Sequence, residues 1–146
     1  MTENHLWLKA QNIPFQTGPE IVGGFDIGFD NKIPEQTKDQ LMDFVYWVED
    51  HFSLPITLWV DFKYKHYLVG ENKKRVNYKF YWAEFENYPT FTNPDDIPVI
   101  ELPVNRKIDD ILPSFIEAIT QYYTWLTKAT PTGDETEEIL QAYLKK

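Results

Sequence analysis

The sequence predicts a mixed α+β fold: an antiparallel-rich sheet containing a β-hairpin, packed by two or three helices. Three observations predict it. Apolar side chains recur at helical spacing over residues 33–52. The runs 54–70 and 75–85 alternate at period two around the short polar turn GENKK. Two more helical patterns follow from residue 109 onward. No repeat, low-complexity tract or strong linker interrupts the 146 residues, so a single domain over 1–146 is expected.

Residues 1–20 are polar and rich in Pro and Gly, with Trp7 and Phe15 as expected anchors. EIVGGFDIGFDN (20–31) places Phe25, Ile27 and Phe29 on one side and Asp26, Gly28 and Asp30 on the other, a half-buried strand. Gly23-Gly24 marks a bend before it. In the helix at 33–52, Leu41, Phe44, Val45, Val48 and Phe52 form the stripe, Pro34 suits the first turn, and Pro55 is the stop. In the first hairpin strand Ile56, Leu58, Val60 and Phe62 share a face opposite Trp59. In the return strand Val76, Tyr78, Phe80 and Trp82 alternate against Asn77, Lys79 and Tyr81. Residues 86–96 read as loop. IPVIELPV (97–104) is a β-type run, and Pro98 and Pro103 predict a sheet edge, because proline donates nothing to a ladder. Asp109 and Asp110 open the next helix, with Pro113 in its first turn. Leu112, Phe115, Ile116, Ile119, Tyr123 and Leu126 make its apolar face. TPTG (130–133) ends it. Asp134 and Glu137 are placed to cap a last helix with Ile139, Leu140, Tyr143 and Leu144 inward.

Composition narrows the chemistry. Apolar residues reach 42%, too many for intrinsic disorder, and aromatics reach 16% with 5 Trp, 9 Tyr and 10 Phe. There is no cysteine, which excludes disulfides, thiol catalysis and Cys-based zinc sites and fits a reducing cytosol. No apolar run approaches the ~18 residues of a membrane helix, and the first residues lack the pattern of a secretory signal. A cytoplasmic protein without membrane partners is expected. The net charge of −9 argues against nucleic acid as partner. Charge is uneven, however: Lys63–Lys79 carries six Lys/Arg against Glu71 alone, about +5, leaving about −14 elsewhere. No glycine-rich phosphate loop, nucleophile elbow or dinucleotide fingerprint is present.

The stretch SFIEAITQYY (114–123) has the spacing of a zinc-binding helix, in which two His one turn apart share a metal and the Glu after the first handles the water. Ile116 stands at the first His position, Glu117 at the Glu and Thr120 at the second His. ILPSFIEAITQYYTWLT resembles the phrase LxSxxHExxHYYQWL of small bacterial proteins of the minimal zincin type, from Leu112 to Leu126 and including Ser114, Tyr122-Tyr123 and Trp125. The likeness covers roughly residues 54–127. It implies a zincin-like architecture with an edge strand beside the substrate. That strand would pair with a peptide through Val99, Ile100, Glu101 and Leu102. Ile116, Glu117 and Thr120 are then candidate binding residues; the alternative is a plain core helix, with Glu117 a surface or capping carboxylate and Thr120 a hydroxyl bonding a carbonyl one turn back.

The departure decides the chemistry expected. Ile116 cannot ligate a metal, Thr120 is a poor zinc ligand, and His5, His51 and His66 all lie off this helix. The expectation is a degenerate, metal-free member with no cofactor and no catalytic residue, Glu117 merely occupying the zincin glutamate position. It would act by binding a protein or peptide, a second copy of the chain included. Two alternatives remain open. One is a hydrolase-like enzyme using Glu117. The other is a nucleic-acid accessory protein using the hairpin at 63–82, with Lys73, Lys74 and Arg75 among the aromatics Tyr64, Tyr67, Tyr78, Phe80, Tyr81 and Trp82, half of which alternation turns to the core. The remaining polar candidates read as structural: His51 at a helix C-terminus, His66 among lysines, Asp43 and Asp50 on a helix surface, and Asp26 and Asp30 on the first strand.

Overall fold

The computed structural model describes residues 5–12, 23–84 and 96–145. Phe15 and the expected loop at 86–95 lie outside the described residues. In chain order the elements are α1 (His5–Lys9), β1 (Phe25–Phe29), α2 (Glu35–His51), β2 (Leu58–Tyr64), β3 (Leu68–Val69), β4 (Arg75–Val76), β5 (Lys79–Glu84), β6 (Asp96–Val104), α3 (Ile108–Thr127) and α4 (Glu135–Leu144). The mixed α and β composition agrees with the sequence reading, but the sheet does not match its antiparallel-rich description.

The main sheet has four strands in the order β1-β2-β6-β5. β1, β2 and β6 run parallel, and only β5 is antiparallel. Parallel neighbours need a crossover, and α2 supplies the one between β1 and β2. The expected long hairpin is therefore replaced. β2 stops at Tyr64, where the chain turns and the Lys65 amide donates to the Val104 carbonyl at 3.0 Å. The GENKK turn does form a hairpin, but one of two short strands: Leu68 pairs with Val76 and Val69 with Arg75. The Gly70 amide donates to the Lys74 carbonyl at 2.8 Å, and Asn72 and Lys73 turn through left-handed backbone at φ 61° and 58°.

The prolines of β6 mislead for a physical reason. β6 is an interior strand, yet Pro98 precedes its register with β2, which begins at Trp59↔Val99. Pro103 follows the end of its register with β5, at Lys79↔Glu101. Each proline thus has one neighbouring strand, and only residues 99–101 are paired on both sides. A missing N–H costs little where no second strand waits for it. The apolar content on both faces of β6 is what selects it for the interior.

One sheet face gathers Phe25, Ile27, Phe29, Leu58, Val60, Phe62, Ile100, Leu102 and Val104 into the core with the helices. Phe115 of α3 joins the layers, with ring centroids 5.9 Å from Phe25, 5.5 Å from Phe44 and 5.5 Å from Phe62. By alternation the other sheet face carries Asp26, Trp59, Asp61, Lys79, Tyr81 and Glu101.

α2 shows its expected stripe with Trp47 buried beside it, and Pro34 is its N-cap. α3 begins at Ile108, so Pro113 falls in its second turn. It is buried nearly all round because the sheet, α1 and α4 pack on it from different sides. Tyr122, absent from the expected stripe, is fully buried for that reason. In α4, Ile139 and Tyr143 face inward as expected, whereas Leu144 is 58% exposed.

Asp134 stands at the N-cap of α4 but makes no side-chain hydrogen bond there. The buried Glu135 carboxylate accepts from the Thr132 amide at 2.7 Å, the Thr132 hydroxyl at 3.0 Å and the Gly133 amide at 2.9 Å. Burial alone would raise its pKa, but these hydrogen bonds hold it below the ordinary 4.5. A depressed carboxylate stabilises the fold above its unfolded pKa, and the contribution vanishes as pH falls through the folded value. Glu135→Gln is expected to lower the thermal midpoint at neutral pH and to flatten its decline between about pH 5 and pH 3, as read by circular dichroism.

Candidate functional site

The two positions that would hold zinc fill the core. Ile116 is 0% exposed and Thr120 6%. The Thr120 hydroxyl donates to the Ile116 carbonyl at 2.8 Å and accepts from the Trp7 indole N–H at 3.0 Å. Trp7 itself is fully buried, its ring 5.0 Å from those of both Phe52 and Tyr123. An indole thus lies against the helix face where a metal would lie. Of the two readings, Ile116 and Thr120 fill a core, and the Thr120 hydroxyl bonds the carbonyl one turn back as the core reading expects; α1, illegible in the sequence as a helix, covers them.

Glu117 sits on the other side of α3 and is exposed, as is Gln121 one turn on. Glu117 faces the phenol of Tyr78, whose pKa is raised by burial and then by this carboxylate. Among the described residues no group of three or more His, Cys, Asp or Glu could hold a metal ion. Tyr122 and Tyr123 are structural anchors. The Tyr122 hydroxyl donates to the Ile56 carbonyl and accepts from its amide, and the Tyr123 hydroxyl donates to the Ser53 carbonyl at 2.7 Å. They fasten the α2–β2 connection to α3, and burial pushes both phenols well above the usual range.

Val99, Ile100, Glu101 and Leu102 lie in interior β6, and Val99, Ile100 and Leu102 are buried. Residues 99–101 have both backbone edges paired, so an added peptide strand has no place there. The edge role passes to β5, which among the described residues pairs with β6 alone.

The hairpin candidates do reach the surface. Lys73, Lys74 and Arg75 are exposed, and the Arg75 guanidinium stacks 4.2 Å from the centre of the Tyr67 ring. Tyr64, Tyr67, Val69 and Tyr81 are exposed at 36–50%, in the same cation-rich stretch. Phe80 packs against the core, and half-buried Trp82 meets Trp125 at a tilt, ring centroids 4.5 Å apart. Between the β3–β4 ribbon and β5 lies a cleft of about 530 Å³, whose lining includes Val69, Val76, Tyr78 and Tyr81 with one cation, Lys79, and two acids, Glu71 and Glu101. The Tyr81 phenol hydrogen-bonds Glu101, and burial followed by that carboxylate raises its pKa. Alternation along 75–85 flags Tyr81, but the cleft needs the ribbon to fold away from the sheet, which no local pattern signals.

The remaining polar candidates have structural partners. His51 Nδ1 lies 2.8 Å from the Trp47 carbonyl at the end of α2. His66 Nε2 lies 3.2 Å from the Asn105 side-chain amide. Asp30 accepts from the Lys32 and Tyr64 amides, both at 3.2 Å, and in that order they lower its pKa. Asp26 and Asp30 therefore do not form an acid–base pair. No family model, curated protein or solved structure matches the chain.

Removing the Thr120 hydroxyl tests the reading of α3. Thr120→Val removes the acceptor of the Trp7 indole N–H within the core, so urea unfolding should show a loss of about 1–3 kcal/mol. In a double-mutant cycle with Trp7→Phe, the two changes should couple by about 1 kcal/mol.

Proposed function

We propose that the protein is a non-catalytic binding module that docks an acidic protein segment in the cleft between the β3–β4 ribbon and β5. One observation carries this reading: exposed Val69 and Tyr81 line the cleft, and they and exposed Tyr67 belong to residues 63–82, which hold six cations against one acid. Exposed apolar groups beside a concave surface are what a partner buries. Here they sit within a basic segment of an otherwise acidic chain, so charge complementarity points to an acidic partner. The aromatic rings and Val69 supply apolar area, and Lys73, Lys74 and Arg75 form the charged rim. On this reading the zincin-like phrase from Leu112 to Leu126 survives as a packing helix, and the partner site lies on the hairpin side of the sheet.

The rim sets the size of the charge effect. Three exposed ion pairs at about 0.5 kcal/mol each amount to about tenfold in affinity. The test titrates the full ¹⁵N-labelled chain with a peptide of alternating Glu and Val, and separately with an oligothymidylate. The peptide should shift amides between residues 67 and 81, weaken with added salt, and bind about tenfold less well to K73E/K74E/R75E. Shifts from the oligonucleotide alone would favour the nucleic-acid reading. Peptide binding indifferent to the triple variant would remove the proposed rim.

A further inference from the structure

The three parallel strands end on one side of the sheet, at Phe29, Tyr64 and Val104. Beyond those carboxyl ends lies a second cleft of about 370 Å³, lined by Thr37 of α2, Tyr64 of β2 and the β6–α3 loop Asn105-Arg106-Lys107. We propose that this cleft binds the phosphate of a small phosphomonoester, with Arg106 as the principal contact.

Position is the first argument. In open sheets with parallel strands, ligands settle outside the carboxyl ends, where the loops converge. The volume lies near the small end of ligand pockets, enough for a compact ester and not for a dinucleotide. Arg106 is the second. It is half-buried and makes no ion pair among the described residues. Its guanidinium is held by two long contacts to neutral oxygens: Nη1 donates to Asn77 Oδ1 at 3.4 Å and Nη2 to the Pro103 carbonyl at 3.3 Å. Its Nε–H is buried without a partner among the described residues. A charge taken partly out of water and matched only by neutral groups is costly, and a planar fork is suited to an oxyanion. Burial depresses the Arg106 pKa more than Asp110, its acidic neighbour, raises it.

The rest of the lining fits the same ligand. Thr37, Tyr64 and Asn105 bring hydrogen-bonding side chains, and Lys107 adds a second cation. α2 and α3 both start here, and neither has a side-chain hydrogen bond at its N-cap. Their first-turn amides add to the positive end of the site. Three acids oppose it, Glu35 in the first turn of α2 and Asp109 and Asp110 in the first turn of α3, and all are exposed to water. The Asp30 carboxylate is already committed to two backbone amides.

Phenyl phosphate, titrated into the full ¹⁵N-labelled chain, tests the proposal against benzoate, which shares the ring. Phenyl phosphate should give saturable shifts at residues 34–38 and 105–108 and raise the thermal midpoint. Arg106→Lys should weaken binding about tenfold, because a point charge replaces a fork. Lys107→Ala should weaken it about threefold, and its exposed position keeps the measurement valid if the Arg106 variant does not fold. Equal shifts from benzoate, non-saturating shifts, or binding unchanged in Lys107→Ala and Arg106→Lys overturn it. The cleft is separate from the hairpin cleft, so failure here leaves the partner site standing, and the reverse.

Discussion

The hydrogen bond from the Trp7 indole to the Thr120 hydroxyl joins the N-terminal helix to the middle of α3. α3 is enclosed by the sheet, α1 and α4, and only Glu117 and Gln121 in its central turns are exposed. A helix so enclosed must be apolar almost all round, and each polar atom within it needs a partner. Thr120 meets that demand twice, donating to the carbonyl one turn back and accepting from Trp7. The tyrosines at 122 and 123 meet it through the backbone of Ser53 and Ile56. What spells like a metal-site helix is thereby explained as the centre of the packing.

That placement leaves the proposed binding surfaces at the periphery of the sheet. Among the described residues, two clefts lie where strands end or leave the sheet. One is formed by the β3–β4 ribbon against β5, the other by the loop between β6 and α3. The first is aromatic and rimmed with cations. The second is small and polar, built around a half-buried guanidinium.

Local chemistry was readable where it acts locally. The stripe of α2, the alternation of β1 and the GENKK turn appear as the side-chain periods and Gly70 predict. What escaped depends on partners distant in sequence. Two alternating runs around a tight turn look like one hairpin, and nothing in 54–85 says that β6 will take the place between them. Pro98 and Pro103 suggest an edge until the registers show each beside a single neighbour. α1 spans only His5–Lys9, too short for a period, so the cover over Ile116 and Thr120 was invisible. Of the candidate site residues, Lys73, Lys74, Arg75 and Glu117 are on the surface, whereas Ile116, Thr120, Val99, Ile100 and Leu102 are interior.

The central claim is that the face of α3 bearing Ile116 and Thr120 serves packing and holds no ion. Its most direct measurement is the urea unfolding of the Ile116→His/Thr120→His double variant with and without one equivalent of zinc. Packing predicts a loss of several kcal/mol, from a removed core side chain and a removed acceptor of the Trp7 indole N–H, that zinc does not repair. A folded variant that binds one zinc per chain and regains its stability would contradict the account.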